Sequence, residues 1–337
     1  MIEIVALSDA MREAVGLAER VAPTDANVLV TGESGAGKDA LAWFIHAHSQ
    51  RASQSLVKID CATLPADLLE AELFGYERGA FTGATEAKPG RLEAAHRGTL
   101  VLDEIAHLTS DAQAKLLRVI ETREFERLGG RKTIEVDARL LALTNADLKS
   151  AVERRAFRDD LFYRLNVVHI IVPPLRERGK DLETLGRMFV QAYAAKHGRP
   201  AKRLSAEALA LLRAYDFPGN VREFGNIIER AVIVSNDAQI AVEDLPEGLR
   251  SAAQQRAQKD RRPTLAEIES EYIRETLAGT KGNKAQAARI LGISRKNLYE
   301  RLARERAEVR DQRSEVGGQK SEVSDQRSAV TPTDDGE

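Results

Sequence analysis

The first 172 residues alternate short, β-rich apolar runs with stretches in which apolar residues recur at helical spacing. A helix over residues 10–21 is expected before the first run. The apolar runs lie at residues 27–30, 56–59, 99–102, 138–143 and 167–172. Alternation of this kind predicts a parallel sheet that is covered by helices on both faces.

After Pro173 and Pro174 the apolar spacing becomes helical throughout, from Leu182 to about Leu249. The sequence Phe-Pro-Gly-Asn at 217–220 is typical of a turn between two helices. This segment is therefore predicted to be a small all-helical domain. Residues 251–262 are polar and have few side chains to bury, so they are expected to form a linker.

A third module is predicted at residues 263–308. Thr264 and Glu267 form a capping box that opens one helix, and residues 283–302 follow as a helix, a turn at Gly292 and a second helix capped by Ser294. This is the spacing of a helix-turn-helix. Residues 309–337 repeat the sequence DQRS and are predicted to be a disordered, low-complexity tail. The expected domains are thus 1–172, 173–250 and 263–308.

Composition excludes several classes of protein. The chain has 337 residues and 43% hydrophobic content, enough for more than one core. One cysteine, Cys61, cannot form an internal disulfide, and His46 and His48 have the wrong spacing for a metal site on one helical face. The chain shows no secretory signal and no apolar stretch of bilayer length, so a cytoplasmic protein without membrane contact is expected.

The chain contains a local basic patch although its total charge is nearly balanced. There are 50 Lys or Arg against 52 Asp or Glu, which gives no global signature of nucleic-acid binding. Residues 281–306, however, contain eight Lys or Arg and two Glu, a local charge of +6. The basic residues concentrate on the second helix of the predicted helix-turn-helix, which favours DNA over the docking of a protein.

A glycine-rich loop, GESGAGK, occupies residues 32–38 between a predicted strand and a predicted helix. In this context glycines let backbone N–H groups surround a phosphate, and Lys38 can reach the terminal phosphates. The alternative is an ordinary glycine-rich turn. Asp39 stands where the strict motif has a Ser or Thr that binds magnesium.

Two acids, Asp103 and Glu104, end the apolar run at 99–102. At such a place one carboxylate can hold Mg²⁺ while its neighbour orients an attacking water molecule. A simple turn would also place acids there, but the glycine-rich loop upstream favours the chemical interpretation. Together the two motifs predict ATP and Mg²⁺ as cofactors.

The hexapeptide GAFTGA, at residues 79–84 and preceded by ELFG at 72–75, is the most specific motif in the chain. With the two motifs above it resembles the bacterial enhancer-binding proteins, AAA+ ATPases that activate sigma-54 RNA polymerase. The resemblance extends over about residues 1–305. It implies an α/β fold, namely an AAA+ P-loop parallel sheet with an all-α lid, followed by a Fis-type helix-turn-helix domain.

The resemblance implies a function for the loop. In the family it contacts sigma-54 and moves with the nucleotide state, and its residues here are Gly79, Ala80, Phe81, Thr82, Gly83 and Ala84. Glycines at both ends allow a mobile projection with an apolar and a polar contact at its tip. Without the full hexapeptide, a packed loop with a buried Phe81 would be the better interpretation.

The resemblance also assigns the nucleotide site. The implied nucleotide-binding residues are Gly32, Glu33, Ser34, Gly35, Ala36, Gly37, Lys38, Asp39 and Arg222. Asp103 would hold magnesium, Glu104 would position water, and Asn145 would sense the γ-phosphate. Arg158 and Arg164 would enter the site of a neighbouring subunit. From the residues alone, Asn145 is an ordinary strand-terminating Asn, and the arginines are ordinary surface groups.

In the last module the resemblance and the basic patch agree. The candidate DNA-binding residues are Lys284, Ser294, Arg295, Lys296, Asn297, Tyr299 and Arg301. The N-terminal part of the second helix is the part that enters a major groove in such motifs. The expected target is double-stranded enhancer DNA, bound by a dimer.

Two positions depart from the family pattern. Asp39 replaces the usual Glu, and Asp60 replaces an Asn that acts as a switch on the catalytic glutamate. A carboxylate at 60 is expected to repel Glu104 or to share a proton with it. Only 31 residues precede Gly32 in this sequence, and no receiver or GAF domain is expected among them. Control by a separate regulator, by expression or by self-assembly is therefore expected.

The sequence as a whole predicts an ATPase that assembles from dimers into a hexameric or heptameric ring and opens a closed sigma-54 promoter complex. Two other functions remain possible from the residues. One is a non-enzymatic DNA-binding regulator whose ATP site has decayed through Asp39 and Asp60. The other is an AAA+ remodeller of a different protein.

Overall fold

The computed structural model of the chain describes residues 4–200, 202–251, 265–280 and 282–302. The chain divides into two compact units, Met1–Ala257 and Gln258–Glu337. Most of the predicted linker, the side chains of the predicted capping box and the predicted tail lie outside the described residues.

The described elements of the first unit follow in chain order. The strands are β1 (Val28–Thr31), β2 (Leu56–Asp60), β3 (Gly75–Tyr76), β4 (Lys88–Pro89), β5 (Thr99–Asp103), β6 (Glu124–Glu126), β7 (Thr133–Glu135), β8 (Arg139–Thr144), β9 (Val168–Ile171), β10 (Arg203–Leu204) and β11 (Gln239–Ile240). The helices are α1 (Asp9–Val21), α2 (Lys38–Ala47), α3 (Ala66–Phe74), α4 (Arg91–Ala94), α5 (Ser110–Thr122), α6 (Leu148–Glu153), α7 (Asp159–Leu165), α8 (Gly179–Lys196), α9 (Ala206–Arg213) and α10 (Asn220–Val234).

All five predicted runs form one parallel sheet in the order β2-β5-β8-β1-β9. Alternate residues of a strand face opposite sides. Val28 and Val30 therefore pack in one core with α1 and α2, whereas Leu29 packs on the other side with residues from α3 and α5. The carboxyl ends of the strands meet at one edge, where the loops that follow β1, β5 and β8 lie together.

The all-helical segment is confirmed as a lid built mainly from α8, α9 and α10. Its core contains Phe217, Phe224 and Ile228, each fully buried. Gly186 lies where α8 meets α10, and a Cβ at this position would lie 2.9 Å from Leu204 and 3.3 Å from Phe224. The absence of a side chain at 186 therefore allows the two helices to pack closely.

A buried ion pair joins the lid to the start of the chain. Arg178 Nε lies 2.8 Å from Asp181 Oδ2, and both side chains are almost completely buried. Asp181 Oδ1 also accepts hydrogen bonds from the backbone N–H groups of Leu7 (2.6 Å) and Ser8 (2.7 Å). The carboxylate thus satisfies a buried cation and two backbone donors.

Substitution Asp181→Ala should lower the free energy of unfolding by about 3–5 kcal/mol, because it leaves a buried arginine without its partner. Urea denaturation measures the change. The control is Glu183→Ala, which removes an exposed pair with Arg213 (3.1 Å) and should cost no more than about 1 kcal/mol. Equal losses in the two variants would contradict this account of the ion pair.

The second unit contains α11 (Leu265–Gly279), α12 (Lys284–Ile290) and helical residues at 295–302. Asn283 caps α12 through Gln286 N (3.2 Å), and Ser294 Oγ accepts from Asn297 N (3.1 Å), as the sequence predicted for the second cap. The buried residues that join the helices are Ile273, Ala287, Ala288 and Leu298. The predicted helix-turn-helix is confirmed.

No helix in the described part of the chain is long and apolar enough to span a membrane.

Candidate functional site

The glycine-rich loop connects β1 to α2 and has the conformation of a phosphate-binding loop. Lys38, the first residue of α2, is buried, and its Nζ donates to the carbonyl oxygens of Gly32 (2.9 Å) and Glu33 (3.3 Å). Gly37 precedes the helix and brings no capping side chain, so the first backbone N–H groups of α2 are available to an anion. The loop therefore fits the phosphates of a nucleotide.

The acid pair lies directly beside this loop. Glu104 Oε1 is 3.8 Å from Lys38 Nζ, and Asp103 Oδ1 accepts from the backbone N–H of Glu104 (3.0 Å). Glu104 has a φ of 50°, in the left-handed region that non-glycine residues rarely adopt. This backbone turns the Glu104 side chain toward the loop, a feature for which the sequence gives no signal.

The predicted sensor residue joins the same cluster through its backbone. Glu104 Oε2 accepts from Asn145 N (3.1 Å) and Thr144 Oγ1 (3.4 Å), while the side chain of Asn145 is exposed. Both residues lie at the end of β8. The structure thus brings Asn145 to Glu104, and Thr144 is a contact that sequence analysis missed.

Lys58, which sequence analysis also missed, connects the two acids expected to be near magnesium. Its Nζ lies 2.8 Å from Asp103 Oδ2 and also forms an ion pair with Asp39. Burial would lower the pKa of Lys58, but the hydrogen bonds to Asp103 and Asp39 outweigh it and raise that pKa. Carboxylate oxygens are ligands that Mg²⁺ prefers, so Asp103 with Asp39 nearby fits this ion.

The lid touches the loop through Arg222, at the start of α10. Arg222 Nη1 donates to Ser34 Oγ (3.2 Å), and the backbone N–H of Arg222 donates to Gly35 O (3.3 Å). A Cβ on Gly35 would lie 2.4 Å from the carbonyl oxygen of Gly219, so this approach requires glycine at 35. The structure confirms that Arg222 lies at the loop.

Glu33 makes a second connection between loop and lid. Arg176 donates two hydrogen bonds to its carboxylate (2.6 and 2.9 Å), and the fully buried Asn220 donates from Nδ2 to Glu33 Oε2 (3.0 Å). These bonds, that from Arg176 above all, lower the pKa of Glu33 to about 2. Neither Arg176 nor Asn220 was among the predicted site residues.

The carboxylates of Asp60 and Glu104, which were expected to interfere with each other, have different partners in the structure. Asp60 Oδ1 accepts from the backbone N–H of Ala62 (2.9 Å), whereas the carboxylate of Glu104 contacts Lys38 and the end of β8. The pKa of the neighbouring Cys61 rises to about 12 because the thiol is buried and lies near these acids. Cys61 is buried, and its raised pKa disfavours the reactive thiolate form.

Arg158 and Arg164 lie apart from this cluster. Arg158 precedes α7 and pairs with Asp160 (2.7 Å), and Arg164 in the last turn of α7 pairs with Glu121 (3.0 Å). Both side chains are exposed, and their described partners are these acids. The structure therefore does not bring either arginine to the nucleotide cluster of its own chain.

The GAFTGA loop is a closed turn. The backbone N–H of Gly79 donates to Ala84 O (2.8 Å), and Gly79 and Gly83 have φ values of 82° and 104°. Phe81 is 41% exposed, and its ring packs edge-on against Tyr76, with 5.0 Å between centroids. Phe81 is thus not a core residue, but its ring is partly covered by Tyr76.

Most of the candidate DNA-binding side chains are exposed. Lys284 Nζ lies 4.7 Å from the centre of the Tyr299 ring, and both side chains are exposed. Ser294, Arg295 and Lys296 are exposed as well, at the start of the second helix.

Asn297 and Arg301 differ from the other candidates because they bind each other. Arg301 Nε donates to Asn297 Oδ1 (2.9 Å), and Arg301 also pairs with Glu269. Both side chains are half-buried.

Three segments of the chain match known protein families. Residues 4–171 match the sigma-54 interaction domain, residues 176–262 the AAA+ ATPase lid domain, and residues 264–304 the Fis family of bacterial regulatory proteins.

Whole proteins are similar over most of the chain. The regulatory protein AtoC of Escherichia coli is 43% identical over 89% of this chain and 67% of its own length. The transcriptional regulatory protein FlbD of Caulobacter vibrioides is 44% identical over 89% and 69%. The structure of NtrX from Brucella abortus in complex with ATP has a TM-score of 0.67 and 36% identity, covering 89% of this chain and 68% of NtrX.

Proposed function

We propose a mechanism for a chain that belongs to the sigma-54-dependent transcriptional regulators and is an AAA+ ATPase with a Fis-type helix-turn-helix. In this proposal, a ring of subunits hydrolyses ATP and uses the energy to convert the closed sigma-54 promoter complex into an open one. The observation that supports it most is the placement of Lys38, Glu104 and Arg222 around one phosphate-binding loop.

The residues around the phosphate-binding loop have separate roles in ATP hydrolysis. Lys38 and the backbone N–H groups at the start of α2 bind the phosphates, and Asp103 would hold the metal ion. Magnesium, when bound, supplies charge neutralisation at the phosphates. Glu104, held by the end of β8, positions the attacking water molecule and accepts its proton. This arrangement argues against a decayed ATP site.

Arg222 and Glu33 couple the occupancy of the nucleotide site to the position of the lid. Both connect the loop to lid residues, Arg222 through Ser34 and Glu33 through Asn220. Phosphates that bind in the loop compete for the hydrogen bonds of Arg222, so the lid changes its position with the nucleotide. The GAFTGA loop is then moved against sigma-54, with Phe81 as its apolar contact.

Arg158 and Arg164 act in the site of the neighbouring subunit. They are exposed and lie away from the phosphate loop of their own chain, as a residue that is donated across an interface must. A forked cation there stabilises the charge on the transferred phosphoryl group. A monomer lacks this cation and is expected to be inactive.

Mixing two inactive variants tests this cross-subunit site. Glu104→Gln removes the water-positioning group, and Arg164→Ala removes a donated cation. In a mixed ring, the intact site of an Arg164→Ala subunit can meet the intact arginine of a Glu104→Gln subunit. A one-to-one mixture should therefore regain ATPase activity at about a quarter of its interfaces.

The control mixture contains Glu104→Gln and Lys38→Ala. Both substitutions disable the chain's own site, so no interface in this mixture is complete and no activity should return. Phosphate release measures both mixtures, and light scattering verifies that rings form. Rings in which Glu104→Gln and Arg164→Ala restore nothing would exclude the cross-subunit role.

The helix-turn-helix positions the ATPase on DNA. We assign residues 263–308 to enhancer binding as a dimer, residues 1–172 to ATP hydrolysis and residues 173–250 to the lid. Arg295 and Lys296, exposed at the start of the second helix, are the side chains best placed for a major groove. Arg301, which is paired with Glu269, contributes less.

A further inference from the structure

Lys58 occupies a position that the proposed mechanism leaves unexplained. It lies on β2, where it pairs in register with Val101, two residues before Asp103 on β5. Its side chain extends to the carboxyl edge of the sheet, and the Nζ atom contacts carboxylates from two different elements, Asp103 and Asp39. A single ammonium group thus bridges the end of β5 and the first turn of α2.

The bridge has an electrostatic reason. Two carboxylates close enough to share one ammonium repel each other, and the side chain of Asp103 is only 15% exposed, so water screens it poorly. A cation between them removes the repulsion. Before a metal ion arrives, Lys58 is the cation that does so.

We propose that Lys58 is a placeholder cation: it holds Asp103 and Asp39 in position in the empty site and releases Asp103 only when magnesium enters with the nucleotide. The inference rests on the proposed role of Asp103 in metal binding. It makes Lys58 a positioning residue rather than a catalytic one. It also predicts that the site retains little divalent ion without nucleotide, because the position is already neutralised.

The consequence concerns a metal ion alone. A neutral residue at 58 leaves two adjacent carboxylates without a cation, and such a pair of oxygen ligands attracts a divalent ion. For two unit charges about 4 Å apart, removal of one charge is worth about fivefold in water and more near a protein surface, and the double charge of the ion increases this effect. We therefore expect a gain in affinity of at least about tenfold. The wild-type chain should bind the ion weakly in the absence of nucleotide.

The experiment titrates the full-length, nucleotide-free protein with Mn²⁺ and follows the free ion by electron paramagnetic resonance. Lys58→Met should bind Mn²⁺ at least about tenfold more tightly than the wild type. Lys58→Arg, which keeps the charge, should bind as the wild type does. The matched control is Lys115→Met, which removes a lysine paired with Glu70 (2.7 Å) and should also leave Mn²⁺ binding unchanged.

Two further variants make the result decisive. Adding Asp103→Asn to Lys58→Met should abolish the gained binding. If circular dichroism shows that Lys58→Met is unfolded, Lys58→Gln takes its place in the titration. Equal Mn²⁺ affinity in the wild type and in the folded neutral variant overturns the proposal.

The outcome is separable from the proposed function. The titration contains no nucleotide and needs no turnover, so a gain of Mn²⁺ binding supports the placeholder role whether or not the chain hydrolyses ATP. Conversely, normal ATP hydrolysis by a wild type that binds Mn²⁺ no more weakly than Lys58→Met would overturn the role of Lys58 alone.

Discussion

Glu104→Gln should lower ATP turnover by about 10²–10⁴-fold and leave ATP binding intact, because glutamine keeps the shape of the side chain but cannot accept a proton. The structure holds the Glu104 carboxylate at the end of β8, 3.8 Å from Lys38. Lys38→Ala should lose ATP binding as well as turnover. Phosphate release and the binding of a fluorescent nucleotide separate the two effects.

The control for both variants is Glu247→Gln, an exposed substitution on the lid that should change neither quantity. If Glu104→Gln hydrolysed ATP at the wild-type rate, Glu104 would not be the residue that positions the attacking water molecule, and the proposed chemistry would be wrong. No phosphate release by the wild-type ring would favour the alternative in which the chain is a non-enzymatic DNA-binding regulator.

Phe81→Ala should reduce promoter opening by at least about thirtyfold and spare ATP hydrolysis. An aromatic anchor at the centre of an interface is commonly worth about 2 kcal/mol or more, and Phe81 is 41% exposed, so its ring is accessible to a partner. The phosphate loop is made of other residues, so the ATPase rate should stay near that of the wild type. Permanganate footprinting on a sigma-54 promoter measures opening.

Leu68→Ala is the matched control for Phe81→Ala, because Leu68 is also an exposed apolar side chain, at 49%, but lies on α3. It should leave promoter opening unchanged. Normal opening by Phe81→Ala would contradict the role of Phe81 as the contact with sigma-54. Failure of the wild type to open the promoter, with ATP hydrolysis intact, would favour a remodeller that acts on a different protein.

Local sequence patterns were enough to predict the sheet and the loop chemistry. The five strands are short runs rich in β-branched and other apolar residues, and the phosphate loop is defined by glycines and Lys38 within seven consecutive positions. Such features depend on residues close in sequence. The cap at Ser294 belongs to the same class.

Contacts between distant residues could not be predicted in this way. Arg176 and Asn220 reach Glu33 across 143 and 187 positions of sequence, and Lys58 joins Asp39 to Asp103. No periodicity or motif indicates which surface charges meet when the lid packs on the loop.

Backbone conformation could not be predicted from the sequence either. The left-handed conformation of Glu104 follows from how β5 meets its loop, and the residue type gives no hint of it. Likewise, Asn297 and Arg301 were predicted equally as DNA contacts. Nothing in the sequence indicated that Arg301 pairs with Asn297 and Glu269.

The central claim is that cleavage of ATP, rather than its binding, opens the promoter. Transcription in vitro with sigma-54 RNA polymerase, enhancer DNA and the purified chain tests it when ATP is compared with an analogue that cannot be hydrolysed. We expect open complexes only with ATP, although the analogue still binds. Equal opening with the analogue would contradict the account.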